Sequence, residues 1–387
     1  MIVRRAVRPD GPLRVLFVVP DLAFGGAERH VITLLPRMDP QRFRPSLVCL
    51  HRAGEMFEDL SRTGVPATSL DRPSRQPWPL LRELVRIMRR ERPDVVIARG
   101  RSAEILSRVA GVIARVPRLA VWVHNCSELG ESGERDRVTR ILDRVLEPVT
   151  AQVYGVAHGQ VPYLTGERSH GREKIRIIHN GVEIADWPSP PLPRDGELAD
   201  ELGIAPDEPV VGIVAVMRRE KEHARLLAAF AQVLDRVPRA RLLLVGDGPL
   251  RAAVEQQAAD LGITERVVFA GFRTDIVRVL TLVDVYTLCS RSECFPMSVL
   301  EAMAAGRPAV CTAVGGMPEM VEDGVTGHVV EVGDTEALAR ALTDLLGDPD
   351  KAHEMGQAAR NRLEKEFTLE RSVQAAQDAI AETAGRA

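Results

Sequence analysis

Few aromatics, hardly any lysine and no long apolar run characterise this chain of 387 residues. With aromatics at 4%, its cores must be built from Val, Leu, Ile and Ala. No apolar stretch approaches the roughly 20 residues that a membrane-crossing helix needs. Leu13 to Val19 follows several arginines and imitates a secretion signal, but it is short, contains Arg14 and runs straight into Pro20-Asp21. We read it as a first strand. Five cysteines (49, 126, 289, 294 and 311) form no C-x-x-C pair, which argues for reduced thiols and a cytoplasmic protein. A net charge of −3 gives no reason to expect nucleic acid as a partner. Only four of the 51 basic residues are lysines, at 174, 221, 351 and 365. Asp-x-Asp, the usual sign of a bound divalent metal, occurs as Asp348-Pro349-Asp350, far in sequence from every other candidate site residue. We read it as a helix-capping turn and expect no metal or other cofactor.

What is present is an ordinary soluble balance, 45% hydrophobic and 27% charged, at a length that suits two domains. Strand patterns at Leu13–Val19, Leu47–Leu50, Val95–Ala98, Leu119–Val123, Gln152–Val156 and Ile175–His179 alternate with helical ones at Leu80–Arg90, Ala103–Ala114 and Arg135–Leu146. After a Pro-rich stretch the alternation restarts at Val210–Val216 and continues through Ala240–Val245, Val267–Ala270, Val285–Leu288 and Ala309–Thr312. Such alternation predicts an α/β fold with two parallel sheets wrapped by helices. The expected division is residues 1–185, a Pro-rich linker 186–207, a second domain 208–366 and a final amphipathic helix within 367–387. The tail 1–12 is basic.

The densest chemistry lies in Ser290–Glu319, SRSECFPMSVLEAMAAGRPAVCTAVGGMPE. Glu293 stands in a loop, and Glu301 eight residues later lies inside a helix whose first turn suits Pro296. The N–H groups of Cys294, Phe295 and Met297 lie at or near the helix start, where four backbone donors lack intrahelical partners and phosphate is held well. Carboxylates there would repel phosphate, so Glu293 and Glu301 are expected to accept from hydroxyls. Phosphate flanked by hydroxyls describes a sugar nucleotide. The plainer alternative is a pair of surface glutamates.

This segment resembles the E-x7-E signature of the family-4 retaining glycosyltransferases, with the A-A-G-x-P stop and V-G-G-x-P-E loop that follow it. The likeness extends to GGAER at residues 25–29, HNG at 179–181 and GDGP at 246–249. It implies a GT-B fold, two doubly wound Rossmann-like domains facing each other across a crevice. It also implies a nucleoside-diphosphate sugar as donor, a glycan, lipid-linked or small-molecule acceptor, and retention at the anomeric carbon. Glu293 would then contact donor-sugar hydroxyls and Glu301 the ribose. Gly25-Gly26 would border the donor phosphates, and His124, after a strand, would face the donor sugar. Lys221 matches the R-x4-K element that offsets the diphosphate, but Val216 occupies the usual Arg position, with Arg218 two residues on as its substitute. GDGP fails as a dinucleotide fingerprint, because Arg251 stands where a third Gly should be.

One helix, Pro79 to Arg92, sets Arg82, Arg86, Arg89 and Arg90 opposite Leu81, Leu84, Val85 and Met88. A solvated charged face explains it; peripheral contact with an anionic membrane is the other reading. The rivals to a transferase are another GT-B sugar-nucleotide enzyme such as an epimerase or phosphorylase, and a sugar-nucleotide-binding protein weakened in catalysis, which Val216 favours.

Overall fold

The computed structural model describes residues 4–23, 25–72, 77–126, 141–190 and 192–386, except the side chain of residue 27. The chain divides into two compact units, residues 1–180 with 369–387 and residues 181–368.

The first unit holds a seven-stranded sheet. Its strands are β1 (Leu13–Val19), β2 (Phe43–Cys49), β3 (Ala67–Ser69), β4 (Val95–Ala98), β5 (Arg118–Trp122), β6 (Gln152–Gly155) and β7 (Ile175–Ile177). All are parallel, in the order β3-β2-β1-β4-β5-β6-β7. The order runs backwards from β1 and forwards from β4, so the switch point lies between those two strands. Runs such as Val95, Val96, Ile97 and Ala98 are buried throughout, as strands covered on both faces must be. The helices Pro77–Glu91 and Arg101–Ala114 cover one face, with Leu80, Leu84, Met88, Ala103 and Ala110 packed on Leu16, Val18 and Val96. On the first of these helices Arg86 pairs with Glu83 at 2.7 Å, while Trp78 is 74% exposed.

Three features of this unit were not legible beforehand. Strand β3 is only three residues long, partly exposed and at the sheet edge. The basic N-terminal segment is anchored: Arg8 pairs with Asp94 at 2.6 Å, and Arg4 donates to the Val149 carbonyl at 2.6 Å. A fully buried network joins Arg108 and Arg168 to Asp143, and Arg168 also to Glu104. Asp143 belongs to the expected helix Arg135–Leu146, of which residues 141–146 are helical and 135–140 lie outside the described residues.

The final helix, Leu369–Ala384, packs on this same unit. Thr383 meets the buried Tyr154 hydroxyl at 2.6 Å, Gln377 accepts from the Asp39 N–H at 2.7 Å, and Ser372 donates to the His179 carbonyl at 2.7 Å.

The second unit carries six parallel strands: β8 (Val210–Val214), β9 (Arg241–Val245), β10 (Val267–Gly271), β11 (Val285–Leu288), β12 (Ala309–Thr312) and β13 (Gly327–Val330). Their order is β10-β9-β8-β11-β12-β13, which places a switch point between β8 and β11. The stretch expected as a linker includes the helix Gly196–Glu201, begun by Asp195, whose carboxylate accepts from the Leu198 N–H at 2.9 Å. Asp348 caps the helix Pro349–Glu366 in the same way, accepting from Lys351 N–H at 3.0 Å, as expected for Asp348-Pro349-Asp350.

Candidate active site

In doubly wound sheets, ligands bind beyond the carboxyl ends of the strands at the switch point. In the second unit those ends are the loops after β8 and β11, and the structure joins them by an ion pair. Lys221, from the 3-10 turn Arg219–Lys221 after β8, holds the Glu293 carboxylate of the loop after β11. The same Glu293 oxygen accepts from the Ser290 hydroxyl at 2.8 Å. The Glu293 side chain is 10% exposed and that of Lys221 21%, so a cation and an anion are partly desolvated side by side. Both were expected at the site from sequence; their mutual contact was not. Ser290 was missed, and its only signal was its position just after the end of β11.

The helix after this loop spans Met297–Ala304. Pro296 is its cap in extended conformation, one residue before the first turn in which the sequence placed it. Having no N–H, Pro296 leaves the donors of Met297 and its successors to form the helix's positive end. Gly306 stops the helix with φ +66°, a left-handed conformation that a side chain would strain. Glu301 lies in the second turn and is 7% exposed. Phe295 is 3% exposed and packs edge-on against Phe367 at 5.3 Å. The Cys294 carbonyl accepts from the Gly316 N–H at 2.7 Å, tying this loop to the glycine loop after β12. Cys289 is buried, and burial pushes its thiol up to about 12, consistent with an inert filler.

The GDGP loop braces this site from β9. Met217 N–H donates to the Asp247 carbonyl at 3.0 Å, and Leu250 N–H to the Met217 carbonyl at 3.1 Å. A Cβ on Gly248 would come within 2.7 Å of the Met217 carbonyl oxygen, so the second glycine is required by the closeness of two backbones. Val216 is 42% exposed, and Arg218 lines a neighbouring cavity with Arg219 and Arg291.

The first unit has a corresponding ion pair at its own switch point. Glu28, in the first turn of the helix Gly26–Leu34 after β1, pairs with Arg99, just after β4, at 2.7 Å. Gly25 precedes that helix, and a Cβ there would collide with the Glu28 carboxylate. Near Arg99 lie three aromatic rings. Trp122 and His124 stack with centroids 5.7 Å apart, and His30 meets Trp122 edge-on at 5.8 Å. Burial first, then the Arg99 charge, lowers His30 to about 4; the same two causes and His30 itself hold His124 well below the usual range. Both rings are therefore neutral at pH 7. His124 is suited to hydrogen bonding with a hydroxyl and not to acting as an imidazolium acid. Its two ring nitrogens, His30 Nδ1, Arg99 Nε and Trp122 Nε1 are buried without a hydrogen-bond partner of normal geometry. A hydroxyl-rich ligand would satisfy such a cluster. Of this group, sequence reasoning singled out Gly25, Gly26 and His124 and missed Glu28, His30 and Arg99.

Among the described residues, no helix is long and apolar enough to cross a membrane.

Comparison with known proteins agrees with this architecture. Residues 24–186 match the family described as Glycosyltransferase Family 4, and residues 195–362 the one described as Glycosyl transferases group 1. The N-acetyl-alpha-D-glucosaminyl L-malate synthase of Bacillus anthracis is 37% identical over 210 residues, 54% of this chain and 54% of that protein. The D-inositol 3-phosphate glycosyltransferase of Nocardia farcinica is 34% identical over 48% of this chain and 42% of its own length. The chain thus spans about half the length of these curated relatives. The crystal structure of Anabaena HepE in complex with UDP-glucose superimposes with a TM-score of 0.82 at 25% identity, over 96% of this chain and 100% of that one. The fold is therefore GT-B, and the two family matches together support a glycosyltransferase of group 1.

Proposed function

We propose that this chain, which carries both halves of a group 1 glycosyltransferase, moves a sugar from a nucleoside-diphosphate sugar to an acceptor hydroxyl, with retention of anomeric configuration, in polysaccharide or glycolipid biosynthesis. The observation that carries the reading is the Lys221–Glu293–Ser290 constellation at the switch point of the second unit, beside the start of the helix Met297–Ala304. The chemistry needs a cation for a departing diphosphate, acceptors for sugar hydroxyls and a second acceptor for ribose. Lys221 takes the first role, with the positive end of the helix. Glu293 takes the second and Glu301 the third. As the glycosidic bond of the donor breaks, negative charge grows on the diphosphate oxygen next to Lys221. The acceptor hydroxyl attacks from the same face, and a leaving-group oxygen takes its proton, so no residue is required as nucleophile.

HepE was crystallised with UDP-glucose, which makes UDP-hexoses the first donors to try. The test is transfer of radiolabelled sugar from a panel of UDP-, GDP- and ADP-sugars to lipid-linked, polysaccharide and small-molecule acceptors. The expected result is acceptor-dependent label transfer from one donor class. Release of free sugar without any acceptor would point instead to an epimerase-like enzyme. Donor binding with no turnover would point to a binding protein.

A further inference from the structure

The cavity that Arg218, Arg219 and Arg291 line has a volume of about 230 Å³, and neither Lys221 nor Glu293 lines it. Its wall includes Arg218, Arg219, Glu222, His223, Gln257 and Arg291. The only carboxylate among these, Glu222, is engaged: it pairs with Arg291 at 2.7 Å and with Arg225 at 3.1 Å. Arg218 and Arg219 have no acidic partner among the described residues. The lining therefore carries an excess of positive charge.

Three further observations concern the helix start that borders this cavity. The twelve-residue helix His223–Leu234 begins here, with no side chain capping its first turn. Glu222, which precedes it, adopts φ +54°, a conformation that a residue with a side chain rarely holds without cost. His223 lines the cavity, is 4% exposed, and its Nδ1 has no hydrogen-bond partner. Helix start, guanidinium groups and, in the tautomer protonated at Nδ1, a buried neutral imidazole are three kinds of donor converging on one space.

We propose that this cavity binds a phosphate dianion, free or carried by a small ester, at a site distinct from the Lys221–Glu293 pair. Guanidinium forks suit phosphate oxygens in number and geometry, and uncapped helix N–H groups add to them. The volume exceeds that of phosphate alone and leaves room for part of an ester. The site shares Arg218 with the grip expected for the donor diphosphate, but it needs neither Lys221, Glu293 nor Glu301.

The test is a titration of the full chain at constant ionic strength, followed through the His223 imidazole resonance, which His223→Asn identifies by its loss. Inorganic phosphate and glucose 6-phosphate are the probes and chloride the control. The expected result is a saturable shift with phosphate that chloride does not give. Arg219→Ala, an exposed position that should not disturb folding, is expected to weaken binding about tenfold. Lys221→Gln is expected to weaken it clearly less than Arg219→Ala does, because Lys221 is not part of the lining. Tighter binding of glucose 6-phosphate assigns the site to an ester, and equal or weaker binding assigns it to free phosphate. A response no different from chloride would overturn the proposal. So would loss of the shift in Lys221→Gln with Arg219→Ala unaffected, which would place the phosphate at the transfer site.

Discussion

Glu293→Ala is expected to lower the turnover of sugar transfer about 100- to 1,000-fold while leaving nucleotide affinity within a few-fold. The carboxylate is held from two sides, by Lys221 and by Ser290 at 2.8 Å, so its direction is fixed before a donor arrives. A fixed acceptor matters most when charge develops at the anomeric carbon and a small error in sugar position costs most. Because Ala cannot pair with Lys221, the variant also frees that cation to meet the diphosphate more tightly in the ground state. Affinity for nucleoside diphosphate should therefore hold or rise while turnover falls. Steady-state rates and binding measured on the same preparation separate these. Wild-type turnover in Glu293→Ala would remove the carboxylate from the reaction.

Lys221→Ala should lose turnover by a similar factor, about 100- to 1,000-fold, and the wild-type protein should need no divalent metal. A departing diphosphate can be neutralised by a metal on carboxylates or by cationic side chains and a helix end. In this chain the second set is assembled at the switch point: Lys221 after β8, and the start of Met297–Ala304 after β11. Asp348, from the Asp-x-Asp of the sequence, is occupied in capping the helix Pro349–Glu366. The measurement is sugar transfer in excess chelator after removal of bound metal. Activity that disappears and returns with magnesium or manganese would refute the metal-free account. Full activity in Lys221→Ala would shift the neutralising role to the helix end and the arginines.

Much of the fold can be read from buried runs. β1, β4, β11 and β12 are short apolar segments bounded by turn residues, and their parallel pairing follows from the helices between them. The edges are harder. β3 has three residues and no buried face, and β13 opens on Gly327 at φ +153°, where the sequence pattern signals a turn. Segments whose role is set by distant partners are not legible: residues 1–12 read as a basic tail, and nothing in them announces the pairing of Arg8 with Asp94. The candidate site shows the same division. Glu293, Glu301 and Lys221 are visible because residue type and spacing mark them. That Lys221 and Glu293 touch, 72 residues apart, depends on β8 lying next to β11 in the sheet, which periodicity does not encode. Glu28 and Arg99 likewise meet only because β1 adjoins β4.

The central claim is that the switch-point site of the second unit holds a nucleoside diphosphate. Calorimetric titration of the full chain with UDP, GDP and ADP, in chelator, tests it most directly. The account predicts saturable binding of at least one of them, weakened about tenfold in Glu301→Gln, where a charged acceptor for the ribose hydroxyls becomes a neutral one of the same shape. No binding of any of the three, or equal affinity in wild type, Glu301→Gln and Lys221→Ala, would contradict it.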